Sequence, residues 1–501
     1  MAQERIPGVS QAEWDALPAA VRVYIEWQDR RIAELVYRNA ELEERVAKLE
    51  AQLAKNSTNS HKPPSSDGPG HAPRTQSERK PSGKKPGGQR GHSGSTLRKS
   101  LNPDHRTRHP VNRCGGCNHD LSRQRPDSVV ERQVFDLPPV KIECTAHEAE
   151  IKVCPHCGER NQAAWPAELA GDSGGAIYGP ELRAFCAYLT QGQLLPYART
   201  SELIQDLTGH KISTGTLTNW TEKASEALKE TDAATRDALA ADPGSVHFDE
   251  TGVPVEKKGS WLHSASNQEL THYETHPERG TKAIEKIGIL PRFKGTAIHD
   301  RWSPYFQYEK CRHGLCGSHL LRDLRFVMEQ EKESWAKSMR RLLCTMNQAV
   351  KEAKAKGQAR FNAPTLKYWE ARYDRILKVG LKLHDSKNLR IGRIESTGAR
   401  GRKKQRPGKN LIDALSRRRE WVLLFLNDFT VPFTNNQGER DIRMTKVKLK
   451  VSGCFRSQAG ARHFCRIRGY LSTSRKQGWS LLEALRSVFL GNPFQPRLST
   501  V

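Results

Sequence analysis

No stretch of this chain approaches the ~18 consecutive apolar residues that a membrane-spanning helix needs, so a membrane-embedded helical protein is not expected. The opening MAQERIPGVS has no apolar core of a secretory signal. Cysteine gives no disulfide framework: there are eleven, an odd number, and four of them form two CxxC pairs. That usage suits a reducing cytoplasm. What the chain is shortest of is negative charge. It has 56 Asp and Glu against 82 Lys and Arg, a formal net charge of +26. A surplus that large points to a polyanionic partner. A basic protein without such a partner is disfavoured because the charge is clustered. Residues 56–110 alone hold 11 Lys and Arg against 3 Asp and Glu. At 501 residues the chain has room for three or four domains.

Residues 11–55 read as one amphipathic helix. Its apolar stripe runs Ile25, Ile32, Leu35, Leu42, Val46, Leu49 and Leu53, mostly in alternating steps of three and four. Asn39 falls on the a position between Ile32 and Val46, where a lone Asn fixes register and oligomer state. A helix packed on its own domain is the alternative. The next segment disfavours it: residues 56–110 carry 8 Pro and 7 Gly, the composition of a basic, disordered linker. A dimerising coiled coil is therefore expected. The linker's Lys and Arg can track phosphates or be a solvated tether.

Residues 111–165 hold Cys114–Cys117 (CGGC) and Cys154–Cys157 (CPHC), 36 residues apart. Two CxxC pairs supply four thiolates for one structural Zn²⁺. The gap exceeds the usual ~15–20 residues, and RQVFDLPPVKIECTAHEAEIKV is expected to fill it as a hairpin. Cys144 reads as packed rather than as a ligand. A redox role is disfavoured, because no βαβ pattern surrounds either pair. Residues 166–240 read as helical. Leu203, Ile204 and Leu207, then Gly209, then Ser213 with Leu217 and Trp220, fit either a helix-turn-helix or an ordinary helical hairpin.

Three acidic residues stand in unlike settings: Asp249 in VHFDETGVPV, Asp300 in GTAIHDRWSPYF and Glu439 in NNQGERDIR. The first two lie within or at the end of strand-like runs. The third opens a helix-like segment rich in Arg and Lys. Brought together, three carboxylates make a hard-oxygen cage for Mg²⁺ or Mn²⁺. Two such ions clamp the attacking and leaving oxygens of an in-line phosphoryl displacement. Glu250 competes with Asp249 for this role. Strand alternation puts the two on opposite faces, and Asp249 is favoured. Asp441 points away from Glu439 on a helix. Three antiparallel strands, a crossover helix and further strands predict a multidomain α+β chain with a ribonuclease-H-like α/β catalytic core. That core spans residues 241–325 and 431–475. A helical insertion at 326–430 interrupts it, and residues 476–501 form a C-terminal tail. Before it come the coiled coil, the zinc ribbon and the helical DNA-binding region.

The chain resembles the insertion-sequence-66 family of bacterial transposases, in particular its large catalytic subunit. The resemblance is carried, in order, by NSTNSHKPPSSD with KKPGGQRGH, the two CxxC pairs, HFDETG, HDRWSPY, CGSHLLRDL, NNQGERDIR and KVSGCFRSQAGARHFCRIRGYLSTSRKQG. It implies an acidic triad of the DDE type at Asp249, Asp300 and Glu439, with spacings of 51 and 139 residues. It implies DNA transposition: cleavage at element ends, then joining of the 3′-hydroxyl to target DNA. Asp249 would bridge two Mg²⁺ (or Mn²⁺) ions, with Asp300 and Glu439 each holding one. Cys316 and His319 form a CxxH like one that shapes the strand–helix turn in several DDE groups. Cys311 and His313 beside it raise a second zinc site, with local packing the favoured alternative. CGGCNHD departs from many ribbons in lacking bulky residues, which leaves the ribbon's contact with DNA open. Arg440, Arg443, Lys446, Lys448 and Lys450 would hold the DNA backbone. Trp302 stacks on a splayed base or belongs to the core with Tyr305. Two small accessory proteins of the same element are implied partners, and the bacterial cytoplasm, on nucleoid DNA, is the implied location. A metal-dependent nuclease that does not join strands, and a catalytically inactive DNA-binding regulator, are the alternatives.

Overall fold

The computed structural model describes residues 11–56, 59–60, 91, 97–165, 175–390 and 405–497. Most of the expected linker, including KKPGGQRGH up to its Gly91, and most of the basic run GARGRKKQRPGK lie outside these. The chain divides into two compact units. One comprises Met1–Arg74, Gly174–Pro196 and Thr218–Val501; the other comprises Thr75–Ser173 and Tyr197–Leu217.

The first unit begins with helices α1 (Gln11–Ala16) and α2 (Ala19–Leu53). The single helix expected over 11–55 is broken at Leu17–Pro18, because proline has no N–H to continue a helix. Ile32, Leu35, Leu42, Val46, Leu49 and Leu53 all lie exposed along α2, as does Asn39. The start of the expected linker is packed. Asn59 is buried, donates from Nδ2 to the Ala54 carbonyl, and through Oδ1 accepts the Asn56 N–H. It also reaches Glu329 at 3.3 Å, and Lys55 lies over the Phe326 ring. Asn satisfies the orphan carbonyl at a helix end well, which composition alone does not reveal.

In the second unit, β1 (Ile151–Val153) pairs antiparallel with β2 (Arg160–Gln162), and Cys154–Cys157 sits in the turn between them. The hairpin expected across residues 132–153 does not form. Only β1 at its end is a strand, since Pro138 and Pro139 remove two ladder donors. Residues 97–110, expected as linker, run beside this module: the Ser100 N–H donates to Gln133 Oε1, and Lys99 and Arg106 pair with Glu131.

The chain continues through α3 (Pro180–Ala187) and α4 (Tyr197–Thr208). Gly209 then turns it at φ +73°, and Ser213 Oγ accepts the Thr216 N–H at the head of α5 (Thr214–Ala227). Helix α6 (Lys229–Ala241) leads into the main sheet: β3 (Ser245–Val255), β4 (Lys258–Ser266) and β5 (Thr271–His276) as an antiparallel meander. Helix α7 (Thr281–Ile287) crosses over to β6 (Thr296–His299) and β7 (Arg312–Leu315), both parallel to β3. The sheet order is β5-β4-β3-β6-β7. β-Branched and aromatic residues favour these strands, and their alternation gives the sheet two apolar faces. Val246, Phe248 and Ala265 pack towards α7, while Val253, Val255 and Leu262 pack with Ile442 and Phe464 on the other side.

After β7 come α8 (Gly317–Phe326), α9 (Ser334–Ala355), α10 (Ala363–Arg390), α11 (Pro407–Arg417), α12 (Arg419–Val422) and α13 (Leu424–Asn427). They share one core around Trp335, Met339, Leu343, Tyr373 and Ile412. The chain then returns to the sheet through α14 (Asn436–Ser452) and α15 (Gln458–Lys476). Residues 476–501, expected as a tail, carry α16 (Leu481–Phe489), whose Ala484, Leu485 and Val488 are buried with α3, α5 and α15. Ser480 caps it by accepting the Glu483 N–H. Ser-x-x-Glu before an apolar run is a legible start signal that went unread.

The junction of β7 and α8 is locked to the approach of α14. The Gly317 N–H donates to the Phe433 carbonyl at 2.7 Å, and a Cβ at Gly317 would overlap the Phe433 ring. Gly317→Ala should therefore destabilise the protein by about 1–3 kcal/mol. Phe433→Leu in the same chain should recover part of that loss, measured as denaturation midpoints in a double-mutant cycle.

Candidate active site

The parallel ladder between β3 and β6 pairs Ser245 with Thr296, Val246 with Ala297 and His247 with Ile298. Each pair is 51 residues apart, the spacing of Asp249 from Asp300. Continuing the register two residues sets these carboxylates side by side, where β6 ends and leaves β3. Parallel neighbours in register share a face, so both project from the same side of the sheet.

That side carries α14. Its first turn holds Glu439, and Asn435, immediately before the helix, fixes where the turn sits. Asn435 is buried. Its Nδ2 donates to the Phe248 carbonyl at 2.8 Å, and its Oδ1 accepts from His247 Nδ1 at 2.7 Å. Its own N–H donates to Cys316 Sγ at 3.2 Å, and its carbonyl accepts the Glu439 N–H at 3.1 Å. One side chain and its backbone thus tie β3, α8 and α14 together one residue from Asp249. At Gly438 an added Cβ would press on the Asn435 carboxamide at 3.1 Å. Sequence reading passed over Asn435. An Asn before a helix suggests a cap, yet this side chain caps nothing and bonds across the fold instead.

The electrostatics distinguish the acids. Asp249 is pushed up to about 8, first by burial and then by the charges of Glu250, Glu439 and Asp300. Its Oδ1 accepts the Glu250 N–H at 3.0 Å. Asp300 Oδ1 accepts the Trp302 N–H at 2.8 Å. Neither carboxylate has an ion-pair partner among the described residues. Glu250 faces the other side of the sheet and is engaged. It accepts Arg279 Nε at 2.8 Å, a second bond from the same guanidinium, and the Tyr305 hydroxyl. Asp441 is turned away from Glu439 and pairs with Lys476 at 2.9 Å. Arg279 lies over the ring of Trp302 with its guanidinium carbon 4.2 Å from the centroid, and Tyr305 is buried.

The basic residues of α14 divide by helical angle. Arg443, Lys446 and Lys450 follow Glu439 at four, seven and eleven residues and share its face, with Arg440 alongside. All four are exposed. Lys448 falls on the reverse of the helix and is half-buried, and burial lowers its pKa. Its expected place on the DNA-facing side therefore does not agree with the helix geometry.

Cys316 immediately precedes α8 and His319 stands on its first turn. With Glu439 they are the one group of three or more metal-competent side chains among the described residues whose donor atoms lie within 4.8 Å of one another. Cys311 and His313 serve packing: the thiol donates to the Tyr308 carbonyl, and His313 Nδ1 lies 2.9 Å from His299 Nε2. The CxxC pairs form two knuckles of like build. Cys114 and Cys154 each donate N–H to the carbonyl five residues on, and each accepts at its carbonyl the N–H of a left-handed residue, Asn118 or Gly158. Main-chain N–H groups of Cys117 and Gly116, and of Cys157 and His156, lower the two leading thiols. The four sulfurs do not converge within one such group. The four-thiolate site expected from the sequence is thus not assembled here, and the two knuckles stand apart.

The profile of the Transposase IS66 family matches residues 175–463, more than half of the chain. The chain belongs to this family. The match takes in all three carboxylates, Asn435 and the CxxH of the transposase. A family of unknown function, DUF6444, matches residues 12–98, which include α2. No curated protein matches the chain. No helix among the described residues is long and apolar enough to cross a membrane.

The raised carboxyl of Asp249 has a consequence for stability. Between its ordinary 3.8 and about 8 the folded chain holds a proton that the unfolded chain releases. Stability of the metal-free transposase should therefore fall as pH rises through that window. In EDTA, the Tm of wild type should decline between about pH 5 and 8 more steeply than that of Asp249→Asn. Mg²⁺ should raise the Tm of wild type but not of the variant. Parallel Tm–pH curves would remove Asp249 from the cluster.

Proposed function

We propose that this transposase cuts DNA at insertion-sequence ends and joins them to target DNA, with Asp249, Asp300 and Glu439 holding two Mg²⁺ or Mn²⁺ ions. The supporting observation is that separate elements hold these three acids close enough for Asp300 and Glu439 to raise Asp249, with no cation among the described residues paired to Asp249. Such an oxygen-only, charge-rich donor set fits a hard divalent ion. When bound, the ions supply a lowered pKa for the attacking hydroxyl and charge stabilisation for the leaving oxygen.

The chain's own residues position and neutralise. Asn435 sets Glu439 against β3. Arg279 and Tyr305 hold Glu250 on the far side of the sheet, out of competition with Asp249. Arg440, Arg443, Lys446 and Lys450 line the DNA backbone along α14. In cleavage, water adds to the scissile phosphorus and the 3′-oxygen leaves as a hydroxyl. In joining, that hydroxyl adds to a target phosphorus and displaces its 3′-oxygen. Each step makes one P–O bond and breaks one, and no covalent protein intermediate is involved. We take the five-stranded sheet with α14 as a ribonuclease-H-like core and α9–α13 as its insertion. The two cysteine knuckles are read as a single-zinc ribbon, α4–α5 as a DNA-contacting pair and α2 as a dimerising coiled coil. Two accessory proteins of the element and a bacterial cytoplasmic setting complete the proposal.

The test uses labelled element-end DNA, wild type, and Asp249→Asn, Asp300→Asn and Glu439→Gln, with Mg²⁺ or EDTA. Joined products should form with wild type and Mg²⁺ alone, and fall by at least about a hundredfold in each variant while DNA binding persists. Cuts without joined products would favour the nuclease alternative. Binding without cutting under any metal would favour the regulator.

A further inference from the structure

Glu439 has a second set of neighbours besides Asp249 and Asp300. Its Oε1 lies 4.0 Å from His319 Nε2, and Cys316 Sγ completes a trio of donor atoms within 4.8 Å of one another. Cys316 immediately precedes α8 and His319 follows three residues later, so both reach the same side of its first turn. The sulfur is buried and accepts main-chain N–H groups from Ser318, His319 and Asn435. Acceptance from the residues two and three positions on is the pattern at Cys114 and at Cys154 in the CxxC knuckles. Cys316-x-x-His319 shares this sulfur environment, with imidazole in place of the second thiol, but not the turn of the knuckles: the Cys316 N–H donates to the His299 carbonyl and the chain runs on as α8. Unlike the knuckles, it already has a third donor beside it.

We propose that Cys316, His319 and Glu439 form a site for a Zn²⁺-class ion, separate from the oxygen-only site but sharing Glu439 with it. Thiolate, imidazole and carboxylate are zinc's ligand types, and a thiolate disfavours Mg²⁺. Three protein ligands leave one position open, as in sites that exchange water. On binding, the thiol proton leaves to solvent. Arg322, now 3.6 Å from Glu439 Oε1, gives way to the ion. Zinc here withdraws Glu439 from Asp249 and Asp300, so it opposes Mg²⁺-dependent cutting. That last consequence rests on the proposed catalytic function; the binding site does not.

Full-length wild type, Cys316→Ser and His319→Gln, with folding checked by circular dichroism, are dialysed against Zn²⁺ and their metal quantified. Co²⁺ absorption spectra are recorded for each. The CxxC knuckles contribute equally to all three proteins. Wild type should hold one equivalent more than either variant, and its Co²⁺ difference spectrum should show a single thiolate band. Zn²⁺ should inhibit Mg²⁺-dependent cutting by wild type at concentrations at least about tenfold below those needed for His319→Gln. Equal metal content and identical Co²⁺ spectra would overturn the site. His319 is the more exposed ligand, so its variant keeps the test valid if the Ser variant does not fold. Equal metal content alongside intact Mg²⁺-dependent joining would sink the zinc site alone. A missing equivalent in the variants, with no cutting by wild type under any metal, would support the zinc site and sink the catalytic proposal.

Discussion

Like charges gathered out of water are the constraint around which the five-stranded sheet and α14 are arranged. Burial and three neighbouring acids oppose ionisation of Asp249, and a fold that keeps such a group must hold it there by other means. The surplus acids nearby are each neutralised. Glu250 is held by Arg279, Asp323 by Arg301 and Asp441 by Lys476. Asp249 and Asp300 instead accept main-chain N–H groups, which orient a carboxylate without cancelling its charge. Glu439 stands between these cases, with Arg322 at 3.6 Å. Acids that look alike in the sequence are thereby sorted into structural ones and ones left available to a cation.

Holding the available acids together falls to Asn435. Its carboxamide bonds to β3 at two places, while its backbone bonds Cys316 and Glu439. A buried carboxamide with good partners in a low-dielectric site is worth more than an exposed one, and leaving its partners unpaired is costly. Gly438 and Gly317 belong to the same arrangement, because side chains there would press on Asn435 or Phe433. The run from Phe433 to Glu439 is accordingly a structural clamp that fixes the position of the Glu439 carboxylate.

Much of the strand order was legible. The three-strand meander, the crossover and the strand ending at Asp300 follow from β-branched runs and turn residues, which are local signals. The choice of Asp249 over Glu250 followed from alternation, and the structure puts Glu250 on the face occupied by Arg279. The rest depended on partners distant in sequence. Asn435 and His247 are 188 residues apart, and Asn59 and Glu329 are 270 apart. No periodicity encodes such pairs. Composition misled in two places: Pro- and Gly-rich sequence hid the packed Asn59, and alternating apolar residues around Pro138–Pro139 suggested a hairpin that the missing N–H groups forbid. Helix α16 is legible from Ser480 and Glu483, a cap signal that lies inside the expected tail.

Helix α14 joins the two demands of the site, and its direction matters. Glu439 sits in its first turn, where the positive end of the helix dipole favours a carboxylate. The basic residues on the same face come later, at Arg443, Lys446 and Lys450. From Glu439 to Lys450 is eleven residues, about 16 Å of helix. A backbone lying along this face meets acid first and base afterwards. Reversing the helix would put its positive end beside the cations and its negative end beside Glu439, losing both favourable terms. Lys448, on the reverse and half-buried, is the exception: burial lowers its pKa, while the exposed cations all lie on the face of Glu439. Under the proposed function, chain polarity at α14 sets the direction in which DNA would leave the carboxylates.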